Sequence, residues 1–84
     1  MSKFTVYHKE YCPYCDAARQ LLDRLGWGYS LIEVSEDIDA FKEMAARSGR
    51  RTVPQIFLGD QHIGGYDDLY DYVRQLGRLI GEAG

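Results

Sequence analysis

Apolar and polar positions change period several times along the chain, and each change marks an element. Residues Lys3 to Tyr7, KFTVY, alternate with the β-branched and aromatic bias of a strand. From Tyr14 the apolar residues fall at Tyr14, Ala17, Ala18, Leu21, Leu22 and Leu25, one face of a helix closed by Gly26. YSLIEV, from Tyr29 to Val34, predicts a second strand. Ile38, Phe41, Met44 and Ala45 then mark an amphipathic helix ending near Gly49. QIFL and QHIG flank Gly59-Asp60, a turn pair that joins two antiparallel strands. The last helix turns Leu69, Tyr72, Val73, Leu76 and Ile80 inward and carries Asp67, Asp68 and Asp71 near its positive end. The order βαβαββα implies an α/β fold, a four-stranded mixed sheet with three helices on its faces. Its first two strands run parallel through a right-handed crossover.

A chain of 84 residues has room for one small domain, read as residues 1–84. Such a domain removes only about 60–65% of its unfolded surface from water, so it needs every apolar stripe. A hydrophobic fraction of 45%, with 13% aromatic and 27% charged residues, argues against disorder. The N-terminus MSKFTVYHKE has neither a signal-peptide core nor a membrane span, so the expected location is the cytoplasm, with no membrane partner. That compartment is reducing, and there a cysteine pair is catalytic or metal-binding before it is a permanent staple. A net charge of −3 gives no basic footprint for nucleic acid.

The cysteines stand in KEYCPYCDAARQLL, between the first strand and the first helix. Orphan backbone N–H groups and the helix dipole converge there, and both favour an anion such as a thiolate. Cys12 takes that place. Pro13 suits the first helical position, where its missing N–H costs nothing and its fixed φ stiffens the loop. Cys15, one turn further on, can face Cys12 but sees less water. Lys9 adds positive charge just upstream. A C-x-x-C pair beside a βαβ pattern is the usual sign of a thioredoxin-like redox centre. Zinc needs four ligands, and beyond the cysteines only His8 and His62 offer ring nitrogens, without the paired spacing of a zinc site. A disulfide closing so short a loop would restrict the unfolded chain little, so stability is a poor reason for it.

CPYC at 12–15, TVPQIF at 52–57, GG at 64–65 and DD at 67–68 occur in the order and spacing of the dithiol glutaredoxins, which the chain resembles over nearly its whole length. The resemblance implies a thioredoxin fold and a glutathione-dependent thiol–disulfide oxidoreductase. Such an enzyme reduces protein disulfides and glutathione mixed disulfides, with glutathione as reductant, no bound cofactor and no metal. Its implied partners are glutathione and disulfide-containing or glutathionylated proteins, with a monomer as the default state. By that analogy Cys12 is the nucleophile, Cys15 is the resolving thiol, and together they form the redox-active disulfide. Lys9, Tyr14, Thr52, Val53, Pro54, Gly65, Tyr66, Asp67 and Asp68 line the glutathione groove. Tyr66 departs from a common family pattern, in which a cysteine or other small residue follows the glycine pair, and its phenol is expected to narrow the groove.

The residues themselves bear on these roles. Pro54 has no N–H for a central ladder, and a cis Val53–Pro54 bond would explain its place before a strand. Backbone groups of Val53 could then pair with an extended peptide by strand addition. The alternative is a trans proline opening an edge strand. Gly64-Gly65 lets a ligand approach the backbone, or simply makes a tight turn. N–H groups near Tyr66 and Asp67 can hold a carboxylate, while Asp67 or Asp68 accepts from an ammonium. Alternatively the aspartates only cap the helix. Arg50 and Arg51 read as solvated charge, Tyr29, Phe41, Phe57 and Tyr72 as core or half-core, and Trp27 as a cover on the first helix. Two competing functions remain, a small redoxin reduced by thioredoxin reductase and a glutathione-ligated iron–sulfur carrier. The GGYDDL run favours glutathione over the first, and by family resemblance a proline after the first cysteine disfavours the second.

Overall fold

The computed structural model describes residues 3–81, with side-chain surroundings through residue 77. Its elements are β1 (Phe4–His8), α1 (Pro13–Leu25), β2 (Tyr29–Glu33), α2 (Ile38–Ser48), β3 (Gln55–Leu58), β4 (Gln61–Gly64) and α3 (Tyr66–Gly81). The order is the expected βαβαββα. The strands form one mixed sheet in the order β2-β1-β3-β4. β1 pairs parallel with β2 and antiparallel with β3, and the β3–β4 hairpin turns at Gly59-Asp60 as the sequence indicated.

Strand alternation divides the core between the two faces of the sheet. Phe4, Val6 and Ile56 meet Ala18 and Leu22 of α1 and Leu69 of α3 on one face. Tyr7 and Phe57 meet Val34, just past β2, and Met44 of α2 on the other. Each such fully buried large side chain contributes about 1.5–3 kcal/mol of hydrophobic stabilisation. Leu22 and Leu69, both without exposed surface, therefore anchor the two helices that flank the cysteines and the glycine pair. Gly26 ends α1 in the left-handed region, φ 71°, its N–H donating to the carbonyls of Leu22 and Asp23.

Three positions on the expected apolar faces point elsewhere. Tyr14 is 64% exposed, because the first turn of α1 places its ring against Tyr66, 6.2 Å between centroids, rather than on the sheet. Leu25 is the last residue of α1 and 37% exposed. Ile38, the first residue of α2, is 65% exposed on a cavity wall. Trp27 is half-buried and stacks on Phe4 of β1 at 5.4 Å, packed against the cluster that Phe4 forms with Ala18 and Leu22 of α1. The side chain of Ile80 lies outside the described residues.

Candidate active site

β1 delivers the chain to Lys9, Glu10 and Tyr11, and Tyr11 turns it with φ 59°, leaving its phenol 95% exposed. Cys12 follows in extended geometry as the N-cap of α1, with Pro13 opening the helix. Its sulfur accepts the N–H of Cys15 at 3.2 Å, and its carbonyl accepts that of Asp16 at 3.0 Å. An orphan donor of the first turn is thus satisfied by the sulfur itself. Both thiols are free. The expected contrast between an open and a hidden sulfur is narrower than the sequence suggested: Cys12 is 7% exposed and Cys15 fully buried. Burial, reinforced by the hydrogen bond with Cys12, pushes the Cys15 thiol from 9.0 up to about 12.

The Val53–Pro54 bond is cis. The Cys12 thiol faces the Val53 carbonyl oxygen across 3.9 Å. Strand pairing begins only at Gln55, opposite Tyr7, so the ladder does not take up the Val53 backbone. Two cavities meet along this Cys12–Val53 line. The smaller, about 260 Å³, is lined by Tyr14, Thr52, Val53, Pro54, Gly65, Tyr66, Asp67 and Asp68, together with Arg50 and Gln55. The larger, about 960 Å³, takes Cys12, Pro13, Val34, Ile38 and Phe41, with Lys9 and Arg51 as its cations. Lys9 thus shares the larger cavity with Cys12 and with Thr52 and Val53 of the expected groove set, while Tyr14, Pro54, Gly65, Tyr66, Asp67 and Asp68 line the smaller one.

The start of α3 resolves the two aspartates. Gly65 is its N-cap, accepting the N–H of Leu69 at 3.0 Å. The Asp68 carboxylate reaches back to accept the Gly65 N–H at 3.0 Å, half of a capping box, and meets Arg50 at 3.4 Å. Gly64 has φ 124°, and a Cβ there would come within 2.6 Å of the Asp68 Cγ. Only glycine lets the cap close. Asp67 makes no side-chain hydrogen bond or ion pair among the described residues. Tyr66 is half-buried between Tyr14 and Tyr70, 6.2 and 6.3 Å from their rings, and forms the middle of an aromatic wall.

Three cavity neighbours received no firm role from the sequence. Arg50, read as solvated charge, pairs with Asp68 at the cavity rim. Gln55, 1% exposed, and His62 form a hydrogen-bonded pair behind Thr52. A polar residue between Pro54 and the apolar IFL run was the one available signal. Burial first, then the nearby Arg50, lowers the His62 pKa from its ordinary value. Among the described residues no three or more His, Cys, Asp or Glu side chains gather where a metal could sit.

The arrangement joins a thiol held at a helix terminus, a second thiol behind it and a backbone segment outside the strand ladder beside it, which is what exchange between disulfides needs. The chain is similar to known proteins. The glutaredoxin family model matches residues 4–63. A glutaredoxin from Neisseria meningitidis is 45% identical over 82 residues, covering 96% of this chain and 95% of the relative. Glutaredoxin 3 of Escherichia coli is 47% identical over 70 residues, 83% and 84% of the two chains. Among solved structures, a buckwheat glutaredoxin–glutathione complex superposes with a TM-score of 0.80 at 35% identity, covering 95% of this chain and 74% of the other. The solution structure of a Brucella melitensis glutaredoxin gives 0.75 at 42% identity, over 96% and 87%. With the family model covering most of the chain and relatives this similar along nearly its full length, the chain belongs to the glutaredoxins, thiol–disulfide oxidoreductases of the thioredoxin superfamily.

Proposed function

We propose that the protein is a glutathione-dependent oxidoreductase that reduces glutathione mixed disulfides and protein disulfides through Cys12 and Cys15. The observation that carries this reading is the smaller cavity, which runs from Thr52 and Val53, whose carbonyl faces Cys12, to the N-terminus of α3. Glutathione ends in a γ-glutamyl group bearing a carboxylate and an ammonium. The backbone N–H groups at the start of α3 suit the first, and the uncommitted Asp67 suits the second. That a buckwheat relative is solved as a glutathione complex supports glutathione as the ligand. Lys9, which lines the larger cavity with Cys12, Thr52 and Val53, serves the other end of the tripeptide or the client.

Cys12 as thiolate attacks the glutathione sulfur of a mixed disulfide. The new bond joins Cys12 to glutathione, and the client sulfur leaves as a thiolate that takes up a proton. A second glutathione thiolate attacks the bound glutathione sulfur, releasing glutathione disulfide and restoring Cys12. On a protein disulfide, Cys12 bonds to one client sulfur, the client S–S bond breaks and the other client sulfur leaves as a thiolate that takes up a proton. Cys15 then gives up its proton and attacks Cys12, releasing the client sulfur still bound there, and two glutathiones reduce the resulting Cys12–Cys15 disulfide, leaving as glutathione disulfide. The high pKa of Cys15 keeps it protonated while Cys12 is free. Once Cys12 is bonded, the contribution of its charge and hydrogen bond falls away.

The same reading makes it a monomer of the reducing cytoplasm. Among the described residues no helix is long and apolar enough to cross a membrane. The test is turnover of a small glutathione mixed disulfide with glutathione and glutathione reductase, run beside an assay with thioredoxin reductase. Cys12→Ser abolishes both activities, whereas Cys15→Ser keeps mixed-disulfide turnover and loses protein-disulfide reduction. Turnover with thioredoxin reductase alone refutes the reading.

A further inference from the structure

Gln55 buries a primary amide, 1% exposed, directly behind the segment that faces Cys12. Its nitrogen donates to the Thr52 carbonyl oxygen at 3.1 Å and to the Thr52 hydroxyl at 3.3 Å. A carbonyl oxygen only accepts, so the first contact fixes which way round the amide sits. The amide oxygen then faces the opposite side, where His62 Nε2 stands 2.8 Å away. Opposite an acceptor, Nε2 must carry a proton. Both the Nε2–H tautomer and the cationic ring satisfy this, so His62 is the donor in either protonation state. The ring is held on its other side by Phe57, 4.8 Å between centroids.

The far end of the chain of contacts reaches the reacting sulfur. Thr52, Val53 and Pro54 precede the strand ladder, which starts at Gln55, so strand pairing does not hold their backbone. The Gln55 amide does, at Thr52, one residue before the carbonyl that faces Cys12. Without a donor at position 62 the amide oxygen is buried and unpaired. It is satisfied only by rotating the amide, which withdraws the donors from Thr52.

We propose that His62, acting through Gln55, is a positioning residue for disulfide exchange: it locks the amide that holds Thr52–Pro54 in the attitude presenting the Val53 backbone to the substrate beside Cys12. The proposal rests on the reading of that segment as substrate-facing. Its reach is toward disulfide substrates alone, because a small alkylating reagent meets Cys12 without using the Val53 backbone.

The experiment compares His62→Leu, His62→Asn and His62→Gln in the full chain. A glutamine amide reaches the place of Nε2 and can donate, an asparagine amide falls short, and leucine has no donor. KM for a glutathionylated peptide should rise about tenfold in the leucine and asparagine variants, the effect of one lost buried hydrogen bond, with kcat nearly unchanged. The glutamine variant should return to within about threefold of the unsubstituted protein. Alkylation of Cys12 by iodoacetamide, measured with each variant in a Cys15→Ser background, should not change. Should the leucine variant not fold, the asparagine variant decides. Unchanged KM without the donor overturns the proposal, as does a glutamine variant no better than leucine, or alkylation that slows in parallel. The series repeated on a peptide disulfide with dithiothreitol as reductant separates the two readings. An unsubstituted protein that fails only with glutathione refutes the glutathione assignment, while the effect at position 62 still decides the positioning role.

Discussion

Alkaline pH sets the buried Cys15 thiol against the fold. Cys15 has no exposed surface, and its thiol ionises near 12 in the folded chain against 9.0 ordinarily. A group harder to ionise folded than unfolded contributes fully below its unfolded pKa and loses that contribution as the pH climbs to the folded value. The window therefore runs from about pH 9 to about pH 12. By about pH 10 the unfolded chain has gained roughly 1 kcal/mol from ionising this thiol, and near the upper end several kcal/mol. The assay is urea unfolding at about pH 7 and about pH 10, dithiol kept reduced, for the unsubstituted protein and Cys15→Ser. Serine does not titrate in this range, so the variant keeps every other alkaline loss, including that of the buried Tyr7, whose pKa is also raised by burial. The unsubstituted protein should lose roughly 1 kcal/mol more between the two conditions than the variant does. Equal losses would refute the account of Cys15 as a desolvated thiol.

The two aspartates of α3 should separate cleanly. Asp67→Asn should raise KM for glutathionylated substrates several-fold and leave the urea midpoint unchanged, whereas Asp68→Ala should lower stability by about 1 kcal/mol through the lost bond to Gly65. Arg47 donates to the Tyr7 hydroxyl at 2.8 Å and lies over the Phe57 ring at 4.0 Å, while Tyr7 donates to Glu43. Arg47→Ala should therefore cost about 1–2 kcal/mol in urea unfolding without changing turnover of a small mixed disulfide.

What could be read from the sequence was whatever a short window encodes. Pro13 after Cys12, the 3.6-residue spacing behind it and Gly26 placed the cysteines at a helix start, because each acts on its own backbone. Gly59-Asp60 placed the hairpin for the same reason. Side-chain direction at element ends was not legible. Tyr14 has the right spacing for the core, yet the first turn aims it at Tyr66, a residue 52 positions away. Asp67 and Asp68 look alike in sequence, but adjacent helical residues point about 100° apart, and only one can reach back to the Gly65 N–H. That Lys9 shares a cavity with Thr52 and Val53, walled by Ile38 and Phe41, depends on how α2 packs against the sheet. The Gln55–His62 pair forms across the two strands of the hairpin, so neither residue discloses the other.

The sulfur that caps α1, Cys12 Sγ accepting the Cys15 N–H, is also the one that the proposed exchange uses. In that exchange it attacks as a thiolate, a stronger acceptor than a sulfur bonded to sulfur, so every such bond slackens the first turn of the helix that carries Cys15. The linkage is reciprocal. Whatever firms that turn makes Sγ the better leaving group when it is bound, and so favours its release. The helix is best capped when Cys12 is free, and the fold itself thereby leans toward the reduced dithiol, drawing each cycle back to its beginning.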